Sequence, residues 1–247
     1  MTINKMRKAA FIPARYAATR FHGKLMQLLG NKTVIRHTYE NTLATNLFDE
    51  VIVVTDSNII YNEITEHGGK AMMSKKEHES GSDRIAEAVE EMNVNIVVNV
   101  QGDTPFIRKQ PLYNLLKVFE GAEGEEVQVA SLMQVLKEQH FIEDPNYVKV
   151  AVDKNLNSLF FSRSTIPYPR STDMPVTYYE HIGVYAFRKQ ALLNFTKWPV
   201  TPLEAIEKIE CLRYLENGIK LKMVIVDYMG IEIDTPEDLK RAEKYLE

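Results

Sequence analysis

Arg15, Arg20 and Lys24 stand within the run "FIPARYAATRFHGK", and no acidic residue lies among them. Cationic side chains gathered on one loop are suited to holding an anion, and a polyphosphate where several act together. Two aspartates much further along the chain could complete such a site. Asp103 follows Gly102 in "NVQGDTP". The small residue admits a ligand closely there, and a carboxylate opposite a cationic loop could bind Mg2+ that bridges to phosphate oxygens. An aspartate at a strand end also serves as a turn or cap residue, so Asp103 by itself leaves both readings open. In "GIEIDTPEDL", Thr235, Pro236 and Asp238 have the pattern of an N-cap, a first-turn proline and a capping-box partner. Asp234, just outside that helix, is left with no local task.

Other candidates have structural explanations beside chemical ones. Thr201, Pro202 and Glu204 make a second capping box, and Glu207 and Glu210 beyond them could face solvent. His181 and Tyr185 alternate outward from a strand that buries Ile182 and Val184, and their residue types suit core, surface or ligand contacts alike. Cys211, the one cysteine, lies among apolar helical positions and is expected to be a buried, inert thiol. Without a second cysteine there is no internal disulfide, which fits a reducing cytosol. The lack of CxxC pairs and of HExxH spacing speaks against zinc.

The elements that must position these residues are legible in the hydrophobic pattern. "KAAFIPA", "EVIVVTD" and "VNIVVNVQGD" are short, β-branched and bounded by polar residues, as buried strands are. Between the second and third, "DSNIIYNEITEHGG" reads as a helix capped at Asp56 or Ser57 and ended by Gly68 and Gly69. "SGSDRIAEAVEEMN" reads as a second helix, and "QPLYNLLKVFE" as a third with Pro111 near its start. Strands alternating with helices make a parallel sheet covered by helices. After about Glu125 the pattern turns to strands: "EVQVASLMQVL", "NYVKVAVD", "LNSLFFSR" and "YEHIGVYAFR". These predict an extension of the sheet and a smaller β-rich lobe. A single long helix over "TPLEAIEKIECLRYLENG", a strand "KLKMVIVDY" and a closing helix "TPEDLKRAEKYLE" follow.

In open parallel sheets ligands bind beyond the carboxyl ends of the strands. Three predicted strands end there in "PAR", "TDS" and "QGD", and helix N-termini, whose N–H groups favour anions, converge on the same edge. The cationic loop therefore hangs over the expected ligand crevice. Neither GxGxxG nor GxxxxGK[ST] occurs, so a nicotinamide oxidoreductase is disfavoured, and side-chain cations must do much of what backbone amides do in a glycine-rich loop. The formal net charge of −4 hides an asymmetry. From Met1 to Tyr39 there are eight Lys/Arg and no Asp/Glu; the rest carries 22 basic and 34 acidic residues. That distribution suggests a local anion site and no broad nucleic-acid surface. No run of 18 apolar residues offers a membrane span, and the apolar part of the start is cut by Pro13, too short for a signal peptide.

At these residues the chain resembles a known family. "IPARYAATRFHGK", "HESGSDR", "VNVQGDTPFI", "FSRSTIPY", "YEHIGVYAFR", "PLEAIEKIECLR" and "IDTPEDL", in this order from Phe11 to Leu239, are similar to the motifs of the 3-deoxy-manno-octulosonate cytidylyltransferases. The resemblance implies a nucleotide-diphospho-sugar transferase-like, Rossmann-like α/β fold: a mixed, mainly parallel sheet flanked by helices, with the smaller β-rich lobe. It implies one cytidylyltransferase domain over 1–247, with a nucleotide-binding part to about 125, a sugar-binding and dimerisation part over about 126–220, and a metal loop and helix over about 221–247. It further implies a cytoplasmic homodimer that activates 3-deoxy-D-manno-octulosonate (Kdo) with CTP and Mg2+ to give CMP-Kdo and pyrophosphate for lipopolysaccharide synthesis.

Carried over by motif, Arg15 and Lys24 would hold the triphosphate, and Ser80 and Arg84 would help seat the cytidine. Gln101 would contact substrate, and Asp103 and Asp234 would ligate magnesium. Arg163, His181, Tyr185, Glu204 and Glu207 would line the sugar site, with Arg163 facing the Kdo carboxylate. The chain departs from the family pattern at Ala18, His22, Thr104 and Ala205. The same chemistry on 8-amino-3,8-dideoxy-manno-octulosonate or on another acidic sugar is an alternative, as is a nucleotide-binding module without catalysis.

Overall fold

The β-branched runs form strands, and their lack of alternation is explained by burial on both faces. The computed structural model describes residues 6–17, 21–78, 80–171, 173–227 and 231–246. The chain divides into two compact units, residues 1–112 with 229–247, and residues 113–228.

In the first unit, β1 (Lys8–Ala14) is followed by a short hairpin of β2 (Leu28–Leu29) and β3 (Lys32–Thr33), then by α1 (Val34–Ala44). β4 (Glu50–Thr55), α2 (Asn58–Glu66), β5 (Ala71–Met73), α3 (Gly81–Val89), β6 (Ile96–Asn99) and α4 (Lys109–Lys117) come next. β1 pairs in parallel with β4 on one side and β6 on the other, and β4 pairs in parallel with β5. Ala14 lies opposite Thr55, and Thr55 opposite Met73, so these three strands finish in step. Arg15, Asp56 and Ser74 therefore follow them on one edge.

Helix α1 is absent from the periodicity reading, and its buried face explains why. Val34 and Ile35 share that face with Thr38, Tyr39 and Thr42. The threonines are tolerated inside because each hydroxyl reaches a carbonyl: Thr38 Oγ1 donates to Gly102 O at 2.9 Å, and Thr42 Oγ1 to Thr38 O at 2.7 Å. The polar residue types hide an interior helix face.

The division falls inside α4. The second unit continues with α5 (Gly121–Glu125), β7 (Val129–Leu136), α6 (Gln139–Glu143), β8 (Lys149–Val152), β9 (Ser158–Ser162) and β10 (Tyr178–Arg188). Then come α7 (Lys189–Phe195), α8 (Pro202–Glu207), α9 (Leu212–Glu216) and β11 (Lys222–Ile225). β10 runs antiparallel to β7 and β8, β8 antiparallel to β9, and β11 parallel to β7. Residues beyond β11 return to the first unit, where α10 (Pro236–Glu243) begins with the Thr235–Asp238 capping box that its sequence predicts.

The long helix expected over 201–218 is two helices. Lys208 adopts a left-handed conformation at φ 55° and ends α8. The break lets Arg213 turn back onto Glu204, with Nη2 and Nε at 2.5 and 2.6 Å from the two carboxylate oxygens. Nine residues along one continuous helix would lie about 13.5 Å apart in rise and on opposite faces. A pair of buried opposite charges thus favours the kinked path over local helical continuity.

Candidate active site

In the first unit the loop after β1 closes on Gly23, at φ 62°, and Lys24 opens a short 3-10 turn anchored by buried Leu25. Gly102 is tightly enclosed. A Cβ there would stand 3.2 Å from Pro13 O, Leu25 Cδ1 and Ile35 Cδ1 together, so the "QGD" turn presses against β1 and the Lys24 loop. The Thr38 hydroxyl holds Gly102 O, and Thr104 Oγ1 donates to Gln101 O at 2.6 Å. Thr104, a departure from the family pattern, thereby closes the turn from inside.

The C-terminal segment is brought to this turn by one backbone bond, Ile233 N–H to Asp103 O at 3.0 Å. Asp234 then stands beside Asp103. Lys24 Nζ donates to Asp103 Oδ2 at 2.5 Å and to Asp234 Oδ1 at 2.7 Å. Burial by itself would lower the Lys24 pKa, but the two carboxylates outweigh it and hold the ammonium above its ordinary value. The residues that the sequence separates by 79 and 210 positions thus form one cluster.

Two carboxylates that already converge on a cation are a fitting donor set for a hard divalent ion. Among the described residues no group of three or more His, Cys, Asp or Glu could hold a metal. A pair of carboxylates suits magnesium, which keeps waters and takes phosphate oxygens and needs no all-protein cage.

Arg15 is exposed at the end of β1 and makes no ion pair among the described residues. Arg20 and Ala18 lie outside the described residues. Ser80 caps α3, its Oγ accepting from Asp83 N–H at 3.1 Å, and a Cβ on Gly81 would approach Pro13 Cγ to 3.1 Å. The N-terminus of α3 therefore abuts the end of β1. Arg84 is buried and committed internally: it donates to Asp56 Oδ2 at 2.6 Å and to Ser74 Oγ at 3.2 Å. It ties together the residues that follow β4 and β5.

The second unit gathers the remaining candidates. Arg163 Nε, Nη1 and Nη2 donate to the carbonyls of Glu207, Pro145 and Lys208 at 2.7, 2.9 and 3.4 Å. Glu207 does not simply face solvent: its carboxylate accepts from Ser162 Oγ at 2.7 Å and Arg163 N–H at 2.9 Å. Lys149, fully buried and bonded to Asp144 O at 2.8 Å, has its pKa lowered by burial first and by the Arg163 charge among its neighbours. Glu180 nearby is raised by burial and accepts from Gln134 Nε2 at 2.7 Å.

His181 and Tyr185 meet edge to face at 5.3 Å, and Phe161 closes on His181 at 4.9 Å. Burial lowers the His181 pKa to about 4, so the imidazole is neutral near pH 7. Cys211 is buried, as its apolar surroundings predict; Tyr185 shares a hydrogen bond with it, and burial raises both pKa values. Glu204 is buried and held by Arg213, itself stacked over Phe195 at 4.0 Å. Its geometry is that of a structural ion pair. Ser131, Arg213 and Lys149 were not marked by sequence, and Asp56 was read only as a helix cap. Each is a polar residue inside an apolar stretch or at a strand end, and that mismatch is the signal that could have found them.

A sheet edge carrying a lysine between two aspartates, with a helix N-terminus beside it, is the equipment of a nucleotidyltransferase. A family model described as cytidylyltransferase matches residues 9–223. The chain is 58% identical over 243 residues to the 3-deoxy-manno-octulosonate cytidylyltransferase of Christiangramia forsetii, covering 98% of each chain. It is 57% identical over 241 residues to the protein of the same name from Flavobacterium johnsoniae, covering 98% of this chain and 99% of the other. The solved structure of CMP:2-keto-3-deoxy-manno-octonic acid synthetase complexed with CTP matches at TM-score 0.92 and 34% identity, covering 97% and 98%. A 4-diphosphocytidyl-2C-methyl-D-erythritol synthase from Anaerococcus prevotii, at TM-score 0.63 and 18% identity over 98% of each chain, shares the fold. The chain belongs to the cytidylyltransferase family and, within it, to the 3-deoxy-manno-octulosonate cytidylyltransferases.

Proposed function

We propose that this protein transfers the cytidylyl group of CTP to the anomeric hydroxyl of Kdo, giving CMP-Kdo and pyrophosphate. The observation that carries the reading is the Lys24 ammonium drawn onto Asp103 and Asp234 at the sheet edge, in a chain 58% identical to a protein named for this activity. The hydroxyl oxygen attacks the α-phosphorus in line. The bond from that phosphorus to the bridging oxygen breaks, pyrophosphate leaves with the electron pair, and the hydroxyl proton is released. Such transfers depend on positioning and charge neutralisation, with little covalent work for the protein.

In this reading Lys24 leaves the carboxylates for the phosphates and neutralises charge building on their oxygens, with Arg15 beside it. Ser80 and the first turn of α3 border the nucleotide, and Gln101 faces substrate from the turn that Thr104 holds. Asp103 and Asp234 would hold magnesium, which when bound would supply charge screening to the phosphates and the leaving group. Arg163 pairs with the Kdo carboxylate, and His181, Tyr185 and Glu207 shape the sugar pocket. The protein acts as a cytoplasmic homodimer supplying activated sugar for lipopolysaccharide. Among the described residues no helix is long and apolar enough to cross a membrane.

Pyrophosphate release from CTP, measured with and without Kdo in the presence of Mg2+, tests the proposal. Release that requires Kdo is expected. Faster turnover with 8-amino-3,8-dideoxy-manno-octulosonate or another sugar acid would reassign the substrate. CTP binding without release under every sugar would reduce the protein to a nucleotide-binding module.

A further inference from the structure

Ser131 lies fully buried on β7, opposite an irregularity in β10. Leu132 pairs with Ile182, but Ser131 pairs with Tyr185, so the register slips at Gly183 and Val184. Bulges of this kind re-aim groups next to functional sites. Here the carbonyls of Ile182 and Val184 both turn onto Ser131 Oγ, at 3.1 and 2.9 Å. His181 Nε2 stands 2.9 Å from the same oxygen.

The proton count decides the tautomer. A serine hydroxyl has one proton, and carbonyl oxygens only accept. The Ser131 proton therefore goes to the two carbonyls, and its oxygen meets His181 with a lone pair. Nε2 must then carry its own proton. The opposite tautomer would send the hydroxyl proton to Nε2 and leave two carbonyl oxygens about 3 Å from lone pairs, in a buried setting where unmade hydrogen bonds cost most. Nδ1 is left deprotonated, and it accepts no hydrogen bond among the described residues.

We propose that Ser131 is a positioning residue that fixes His181 as the Nε2–H tautomer and so presents Nδ1 as an acceptor for a hydroxyl of the sugar acid. The inference rests on the reading of His181 as a sugar-site residue given above. Its chemical content is specific. His181 takes a hydrogen bond from the sugar and does not serve as a cation for the carboxylate, which stays with Arg163. A sugar acid lacking that donor leaves Nδ1 unpaired and is selected against.

Long-range 1H–15N correlation spectra of the labelled protein read the imidazole tautomer directly, with His181→Gln identifying the resonance. The wild-type ring is expected as neutral Nε2–H; a neutral Nδ1–H ring overturns the proposal whatever the variants do. In Ser131→Ala the resonance should move to a mixture of tautomers, and Ser131→Thr, which keeps the hydroxyl, should restore the wild-type pattern. In parallel, Ser131→Ala should raise KM for the sugar acid about 2- to 10-fold, the scale of one neutral hydrogen bond, and leave KM for CTP unchanged. A tautomer shift with both KM values unchanged overturns the link to the sugar. Absence of Kdo-dependent turnover in the wild type would instead refute the proposed function, and the spectra keep the two failures apart.

Discussion

Lys24 Nζ lies 2.5 Å from Asp103 Oδ2, across 79 residues of chain, and the same ammonium reaches Asp234 at 2.7 Å. Two carboxylates beside each other repel unless a cation stands between them. In this structure lysine is that cation. The arrangement makes the ammonium and any bound metal ion competitors for the same oxygens, and a triphosphate gives the lysine somewhere else to go.

Replacing Lys24 by alanine removes a charge that would act on the phosphates during transfer. The expected loss in kcat is on the order of 10²–10³, the scale for one transition-state charge stabiliser. Steady-state pyrophosphate release checks it, and near-normal turnover in Lys24→Ala would remove the role.

Metal binding should be limited by the lysine when nucleotide is absent. Lys24→Met keeps the stem and loses the charge, so it is expected to bind Mn2+ alone more tightly than the wild type. Asp103→Asn and Asp234→Asn should each weaken that binding, because each removes a carboxylate charge from the donor set. Electron paramagnetic resonance of added Mn2+ measures both; unchanged binding in both aspartate variants would place the metal elsewhere.

The Glu204–Arg213 pair predicts a stability effect larger than any on the sugar. Both side chains are buried, so truncating one strands the other's charge, at a cost of about 3–5 kcal/mol. Urea unfolding of Arg213→Met and of Glu204→Gln reads this, and Glu204→Leu with Arg213→Met together should be less damaging than their separate losses added. A stable Glu204→Gln protein with a raised KM for the sugar would instead make Glu204 a ligand.

His181 gives the fold an acid-side dependence whose sign is fixed by its low pKa. The unfolded chain takes up the proton near pH 6.5, the folded one near 4. Stability from the neutral ring is therefore whole above pH 6.5 and lost as pH falls toward 4, with a slope of at most about 1.4 kcal/mol per pH unit from this one group. Urea midpoints at pH 7, 5.5 and 4.5 should converge between wild type and His181→Gln; a gap that stays constant with pH contradicts it.

The strands were legible because burial on both faces leaves continuous apolar runs, as in "EVIVVT", and the capping box at Thr235 was legible because it is local chemistry. Helix α1 was not, since threonines on its inner face look polar until their carbonyl partners are known. The kink at Lys208 was not either. Local propensity favours one helix over 201–218, and a pairing nine residues apart overrides it.

The sequence alone determined that cations gather near the amino terminus, that a capping box opens the helix after Asp234, and that "QGD" follows a buried strand. Only the tertiary structure decided which of these meet. Gly102 lies close against Pro13 and Leu25, Ile233 is bonded to Asp103, and Lys24 is thereby set between two aspartates. The tautomer of His181 likewise depends on a bulge that aims two carbonyls at one hydroxyl. Residue type and spacing carry local chemistry, whereas the convergence of distant charges follows from packing, which no local pattern encodes.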